Sequence, residues 1–190
     1  MVRTYLIATW VVNSRVSDAL LAGLVGIAIL VAACSPSVVH ARQNTFIAKF
    51  KDWEVHRGRV GAATVCYAAT LPKKRSGKYT RRGETSLIVS FWPSQKISGQ
   101  VEIRAGYTYK PESAVMLEFN NGTKFRLKTD GDTAWGVDAS DDNKIVNNLS
   151  NRVWLRVYGQ SSRGTRTTDS YSLSGFRDAF ARAKVACGMK

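Results

Sequence analysis

Between residues 86 and 127 the hydrophobic side chains recur at every second position. Leu87, Val89 and Phe91 alternate with Ser86, Ser90 and Trp92, and Val101, Ile103, Ala105, Tyr107 and Tyr109 alternate with Glu102, Arg104 and Lys110. A period of two places one face of a strand in a core and the other in water, so this chain must build sheet. In AVMLEFNNGTKFRLK, Val115, Leu117 and Phe119 precede Asn121-Gly122, and Phe125 and Leu127 follow it. Asn-Gly supplies the positive φ angles of a two-residue type I′ hairpin turn. Further strands are expected over 46–56, 64–70, 133–137 and 152–159. Many short strands separated by turn residues predict an all-β fold, an antiparallel β-sandwich or barrel.

One segment has the other period. Phe176, Ala179, Phe180, Ala183 and Cys187 recur at helical spacing, with Arg177, Asp178, Arg182 and Lys184 between them. This predicts one C-terminal α-helix, with Ser172 or Ser174 as its N-cap. The hydroxyl-rich stretch RGTRTTDSYSLSGF at 163–176 then joins a strand to that helix. Its residues have structural work to do: Asp169 pairs with a neighbouring arginine or caps backbone amides, while Tyr171 and Leu173 point into the core.

The first forty residues have another origin. The run ALLAGLVGIAILVAA at 19–33 carries no charge and follows Arg3 and Arg15. It reads as the apolar region of an export signal, shorter than the roughly 20 residues of a spanning helix. Residues 1–41 are therefore taken as an export segment and 42–190 as a single β-rich domain. Two cleavage routes remain open. Val31-Ala32-Ala33-Cys34 has the form of a lipobox, which would leave Cys34 lipidated at the new N-terminus. Val39-His40-Ala41 is a small-x-small site that would discard Cys34. On either route Cys66 and Cys187 are left as an even pair in an oxidising compartment, which predicts a disulfide in preference to two buried thiols.

Catalytic and metal-binding chemistry finds little support. Once the export segment is removed, His56 is the sole histidine, which excludes most triad and zinc schemes. Asp130, Asp132, Asp138, Asp141 and Asp142 lack the spaced ligands and closing Glu of a calcium loop and read as polar connections. The expectation is a protein that is not an enzyme and has no cofactor or metal. The enzymatic alternative is an unrecognised site near His56 and Asp169.

Charge is the more informative property. A formal net charge of +14 over 190 residues, with 28 Lys and Arg against 14 Asp and Glu, exceeds what solubility needs. Lys73, Lys74, Arg75, Lys78, Arg81 and Arg82 cluster with glycine and serine in what reads as a flexible basic loop, the candidate anion-binding site. A second cationic set comes from alternation: Lys124, Arg126 and Lys128 point opposite to Phe125 and Leu127, and Arg156 opposite to Leu155 and Val157. For an exported protein the anionic partners at hand are lipopolysaccharide, phospholipid headgroups and host glycosaminoglycans. Nucleic acid is not expected, because Tyr79 alone makes no stacking platform and no recognition motif is present.

Several of these blocks together resemble a known family. FKDWEVHRG at 50–58, Cys66 shortly after it, AWGVD at 134–138 and above all GQSSRGTRTTDSYSLSGFRDAFARAKVAC at 159–187 are similar to the invasion-associated locus B proteins of Gram-negative bacteria. The resemblance spans essentially the whole of 42–190. It implies a β-rich domain of the periplasm or outer membrane, linked in some pathogens to virulence, with no established enzymatic activity and no catalytic residues to transfer. The lipobox at Cys34 and the basic insert LPKKRSGKYTRRGE depart from the family pattern. The expected function is that of an accessory, adhesion-like binding protein of the envelope, with a purely structural envelope protein as the alternative.

Overall fold

The computed structural model describes residues 44–190; the expected export segment at 1–41, the two cleavage sites expected for it and Cys34 lie outside the described residues. Eleven strands form one antiparallel sheet. In chain order they are β1 (Thr45–Phe50), β2 (Trp53–Val60), β3 (Ala63–Thr70), β4 (Lys74–Gly77), β5 (Ser86–Trp92) and β6 (Ile97–Arg104), then β7 (Ala114–Phe119), β8 (Lys124–Asp130), β9 (Thr133–Trp135), β10 (Trp154–Gln160) and β11 (Arg166–Ser172). Two α-helices, α1 (Ala139–Asn151) and α2 (Phe176–Ala186), and a short 3-10 turn at Pro93–Gln95 complete the elements of the described residues. The all-β class with a helix at the C-terminus is thus the observed one.

Across the sheet the strands run β1-β2-β3-β5-β6-β9-β8-β7-β10-β11-β4. The inward side chains of strands far apart in this order, such as Val55, Val89, Leu117 and Tyr171, meet in a single buried cluster. A flat sheet cannot bring them together, so this one curls around its own apolar face, as an incompletely closed barrel does. The helices pack on that same inner face. Phe176 of α2 lies 4.7 Å from the ring of Trp53 and Phe180 lies 4.9 Å from that of Phe91, while α1 contributes Ile145 and Leu149 to the core. Cys66 on β3 and Cys187 just beyond α2 form the disulfide, joining positions 121 residues apart.

Several local expectations are corrected. The segment 46–56 is two strands, because Lys51 takes a φ of 52° and the chain reverses between Phe50 and Trp53, which pair directly. Lys-Asp carries no glycine to announce such a turn. The Asn-Gly hairpin closes through three residues, not two: the Gly122 amide donates to Phe119 O, the Phe119 amide donates to Thr123 O, and Gly122 alone takes a positive φ. That is the three-residue loop with a left-handed glycine. Tyr107 and Tyr109 lie beyond the end of β6, with Tyr109 bridged to Ser161.

Neither Ser172 nor Ser174 caps α2. Ser172 Oγ accepts from the Ser174 amide, and the N-cap position is Gly175 at a φ of 93°. A Cβ there would fall 2.0 Å from Phe50 O, so the start of the helix is set by close backbone approach to β1 instead of by a hydroxyl. Helix α1 stands where Asp138, Asp141 and Asp142 suggest a polar connection. Asp138 caps it by accepting from the Asp141 amide at 2.9 Å, and Ile145 and Leu149 bury one face. Its asparagines are poor helix formers, which hides the pattern.

Candidate anion-binding surface

Only part of the basic stretch 73–82 is loop. Lys74–Gly77 is an edge strand whose residues pair with β11 from Ser170 to Thr167. Strand alternation turns Lys74 outward and Arg75 toward the side of Asp169, its cross-strand partner. Lys73 pairs with Asp52, whose carboxyl is held below the ordinary range chiefly by that hydrogen bond. Lys74, Arg75, Lys78 and Arg81 are exposed and make no ion pair with a described carboxylate.

Arg82 is the exception, and its expected role as an anion ligand is corrected. Its side chain is 2% exposed and forks onto Asp169, at 2.7 and 2.5 Å, while Nε donates to Ala105 O at 2.7 Å. The rings of Tyr79 and Tyr107 lie 5.4 and 5.0 Å from the guanidinium. Burial pushes the Asp169 carboxyl up against the pull of Arg82, and the bond to Asp169 in turn holds the proton on Arg82 more firmly despite burial. An anion from solution would have to displace a buried carboxylate to reach this arginine. Arg82 instead staples the segment after β4 onto β11 and the end of β6, answering the pairing expected of Asp169. Tyr171 and Leu173 are buried in the core as expected.

The cationic face foreseen from alternation is real and wider than the basic stretch. Cross-strand register places Lys124 beside Glu118, Glu118 beside Arg156, Arg156 beside Ser170 and Ser170 beside Lys74, in one outward-facing row over β8, β7, β10, β11 and β4. Arg126 heads the next row, through Met116, Tyr158 and Thr168 to Ser76, and Lys128 lies beyond it on β8. Successive cations on β8 stand about 7 Å apart along the strand, and neighbouring strands about 4.8 Å apart across it. Glu118 is the acid in these rows. It accepts from the Tyr158 hydroxyl at 2.6 Å and pairs with Lys124 at 3.5 Å, and the Tyr158 bond leads in holding its carboxyl low. Arg156 lies 4.6 Å over the ring of Trp154. Lysines and arginines thus outnumber acids on a surface built from rigid strands.

His56 and Asp169 are not brought together. His56 faces outward on β2, stacked on Tyr67 at 5.3 Å and within 3.3 Å of Glu54, whereas Asp169 is buried. Beside His56 lies a surface groove whose lining includes the Lys49–Glu54 and Lys73–Asp52 pairs, together with Lys51, Arg75 and Glu84, which make no ion pair among the described residues. Among the described residues no three His, Cys, Asp or Glu side chains gather as a metal site, and no helix is long and apolar enough to cross a membrane.

Comparison with models of protein families, with curated proteins and with solved structures returned no match.

Proposed function

We propose that this is an exported envelope protein of the invasion-associated locus B type, acting without catalysis as an accessory, adhesion-like module. It holds anionic polymers against a basic sheet face. The observation that carries this reading is the row of Lys124, Arg156 and Lys74 with Arg126 and Lys128 beside it, interrupted by one acid that is already bonded. Exposed cations at strand spacing suit a repeating anion, because each contact is weak and many are made at once. Lys78 and Arg81 extend the charge past the sheet edge. The export signal at residues 1–41, the Cys66–Cys187 disulfide and the block at 159–187 support a location in the periplasm or at the outer membrane, lipid-anchored if Cys34 is retained. Lipopolysaccharide, phospholipid headgroups and host glycosaminoglycans are the partner class; nucleic acid is not.

The test is binding of the exported protein to vesicles bearing lipopolysaccharide, and to heparin as a glycosaminoglycan, over a range of salt. Replacing Lys124, Arg126 and Lys128 together by Gln should weaken both and flatten the salt dependence, since exposed charges are screened beyond about 10 Å at 0.1 M. Wild-type affinity in the triple variant would count against the sheet face. Absence of binding to either polymer would favour a structural envelope protein without a ligand.

A further inference from the structure

A second cationic feature lies on the other face of the sheet, where α2 packs. Arg57 and Arg59 of β2 and Arg182 of α2 line one cleft together with Thr45 and Thr64. The cross-strand pairs Thr45 with Arg57 and Arg59 with Thr64 place both hydroxyls beside the strand arginines. Residues 57 and 59 share the parity of the buried Val55 and so lie on the side of the sheet that α2 covers, where both side chains remain exposed at the end of the strand. No carboxylate lines the cleft, and none of the three arginines makes an ion pair or a side-chain hydrogen bond among the described residues. Arg182 is not serving the helix terminus either. The final carbonyls of α2, at Ala183, Lys184 and Val185, already accept from the Cys187, Gly188 and Met189 amides.

Arg57, Arg59 and Arg182 are all exposed at this cleft; like charges on one lining repel one another, and an anion seated among them would relieve that repulsion. Arginine presents parallel N–H donors that match two oxygens at once, and hydroxyls at the rim can donate to a third. We propose that this cleft binds the dianionic phosphate group of a phosphomonoester, with Arg57, Arg59 and Arg182 as its ligands and Thr45 and Thr64 as additional donors. The site is separate from the outer sheet face and does not depend on it. The disulfide is part of its construction. Cys66 is the cross-strand partner of Arg57, and Cys187 follows directly on the helix that carries Arg182, so the bond ties the two sides of the cleft with a Cα–Cα distance of 5.7 Å.

The experiment is a titration of the exported, oxidised protein with inorganic phosphate and with glycerol 3-phosphate, followed through arginine Nε–H resonances and by calorimetry. Arg57→Gln and Arg182→Gln should each weaken binding at least tenfold. Arg57→Lys, which keeps the charge and loses the fork, should fall between those variants and wild type. The Lys124, Arg126 and Lys128 triple Gln variant should bind phosphate as wild type does, which separates this site from the sheet face. Vesicles carrying phosphatidic acid, a phosphomonoester, are compared with vesicles carrying phosphatidylglycerol, a diester. Arginine-dependent binding of phosphatidic acid alone would assign the source as a lipid headgroup, and binding of the soluble esters as well would assign a free phosphomonoester; both support the site. Equal retention on the two vesicle types in every variant, or phosphate affinity unchanged in well-folded Arg57→Gln and Arg182→Gln, overturns it. Reduction of the disulfide should weaken phosphate binding more than binding to heparin, and the Gln variants decide the matter if the reduced protein unfolds.

Discussion

Removing the Asp169 carboxylate should be among the most damaging single changes to this fold, and removing its partner at the same time should repair most of the harm. The side chains of Arg82 and Asp169 are 2% and 3% exposed and joined by two hydrogen bonds. In Asp169→Ala the guanidinium stays buried with Ala105 O and two ring faces as its only company, and an uncompensated buried charge of this kind costs about 3 to 5 kcal/mol. Apolar replacement of both residues, as in Arg82→Met with Asp169→Leu, removes the desolvation of both ions. What remains is the loss of the contacts to Tyr79 and Tyr107, about 0.5 to 1 kcal/mol each, so the double variant should lose about 1 to 2 kcal/mol. Urea unfolding followed by tryptophan fluorescence, with Trp53 fully buried against Phe176, measures both variants. The reasoning is refuted if Asp169→Asn is as stable as wild type, or if the double variant is no more stable than Asp169→Ala.

The remaining expectations can be checked separately. Replacing Cys66 and Cys187 together by Ser opens a loop spanning 121 residues and should lower stability by about 4 to 5 kcal/mol on chain-entropy grounds, read as a shifted urea midpoint. Burial pushes the Asp142 carboxyl up to about 6, so the folded protein holds that proton more tightly than the unfolded chain does. Stability from this group therefore falls as pH rises from about 4 to about 6 and then levels. Asp142→Asn keeps an acceptor for the Val101 amide and should be more stable than wild type above pH 6 by about 1 to 2 kcal/mol, solvent screening having reduced the full effect; a difference independent of pH would exclude this. If the proposed lipid anchor forms at Cys34, labelled palmitate should enter the protein and disappear in Cys34→Ala, whereas a mature N-terminus at Arg42 would show that ordinary signal peptidase removes Cys34.

What the chain shows locally is the alternation that makes strands, the helical spacing after Gly175, and two cysteines left to pair. These depend on neighbours in sequence, and each was readable without coordinates. Helix α1 escaped because Asn147, Asn148 and Asn151 weaken its propensity, although Asp138 three residues before Asp141 and the Ile145–Leu149 spacing carried the signal. The strand turn at Lys51 escaped because its positive φ sits on a residue that does not advertise one. The tertiary structure alone decided which strand lies beside which, and so decided the sites. Arg82 and Asp169 are 87 residues apart, and only the pairing of β4 with β11 and the end of β6 makes one the partner of the other. Without that contact Arg82 reads as one more surface cation. Likewise Arg57 and Arg182 belong to one cleft because α2 covers the inner face of β1, β2 and β3. An alternating pattern states which side of a strand is dry, but it carries no information about which distant segment will cover it. That choice rests on the curl of the whole sheet, which forms only when all its strands share one core.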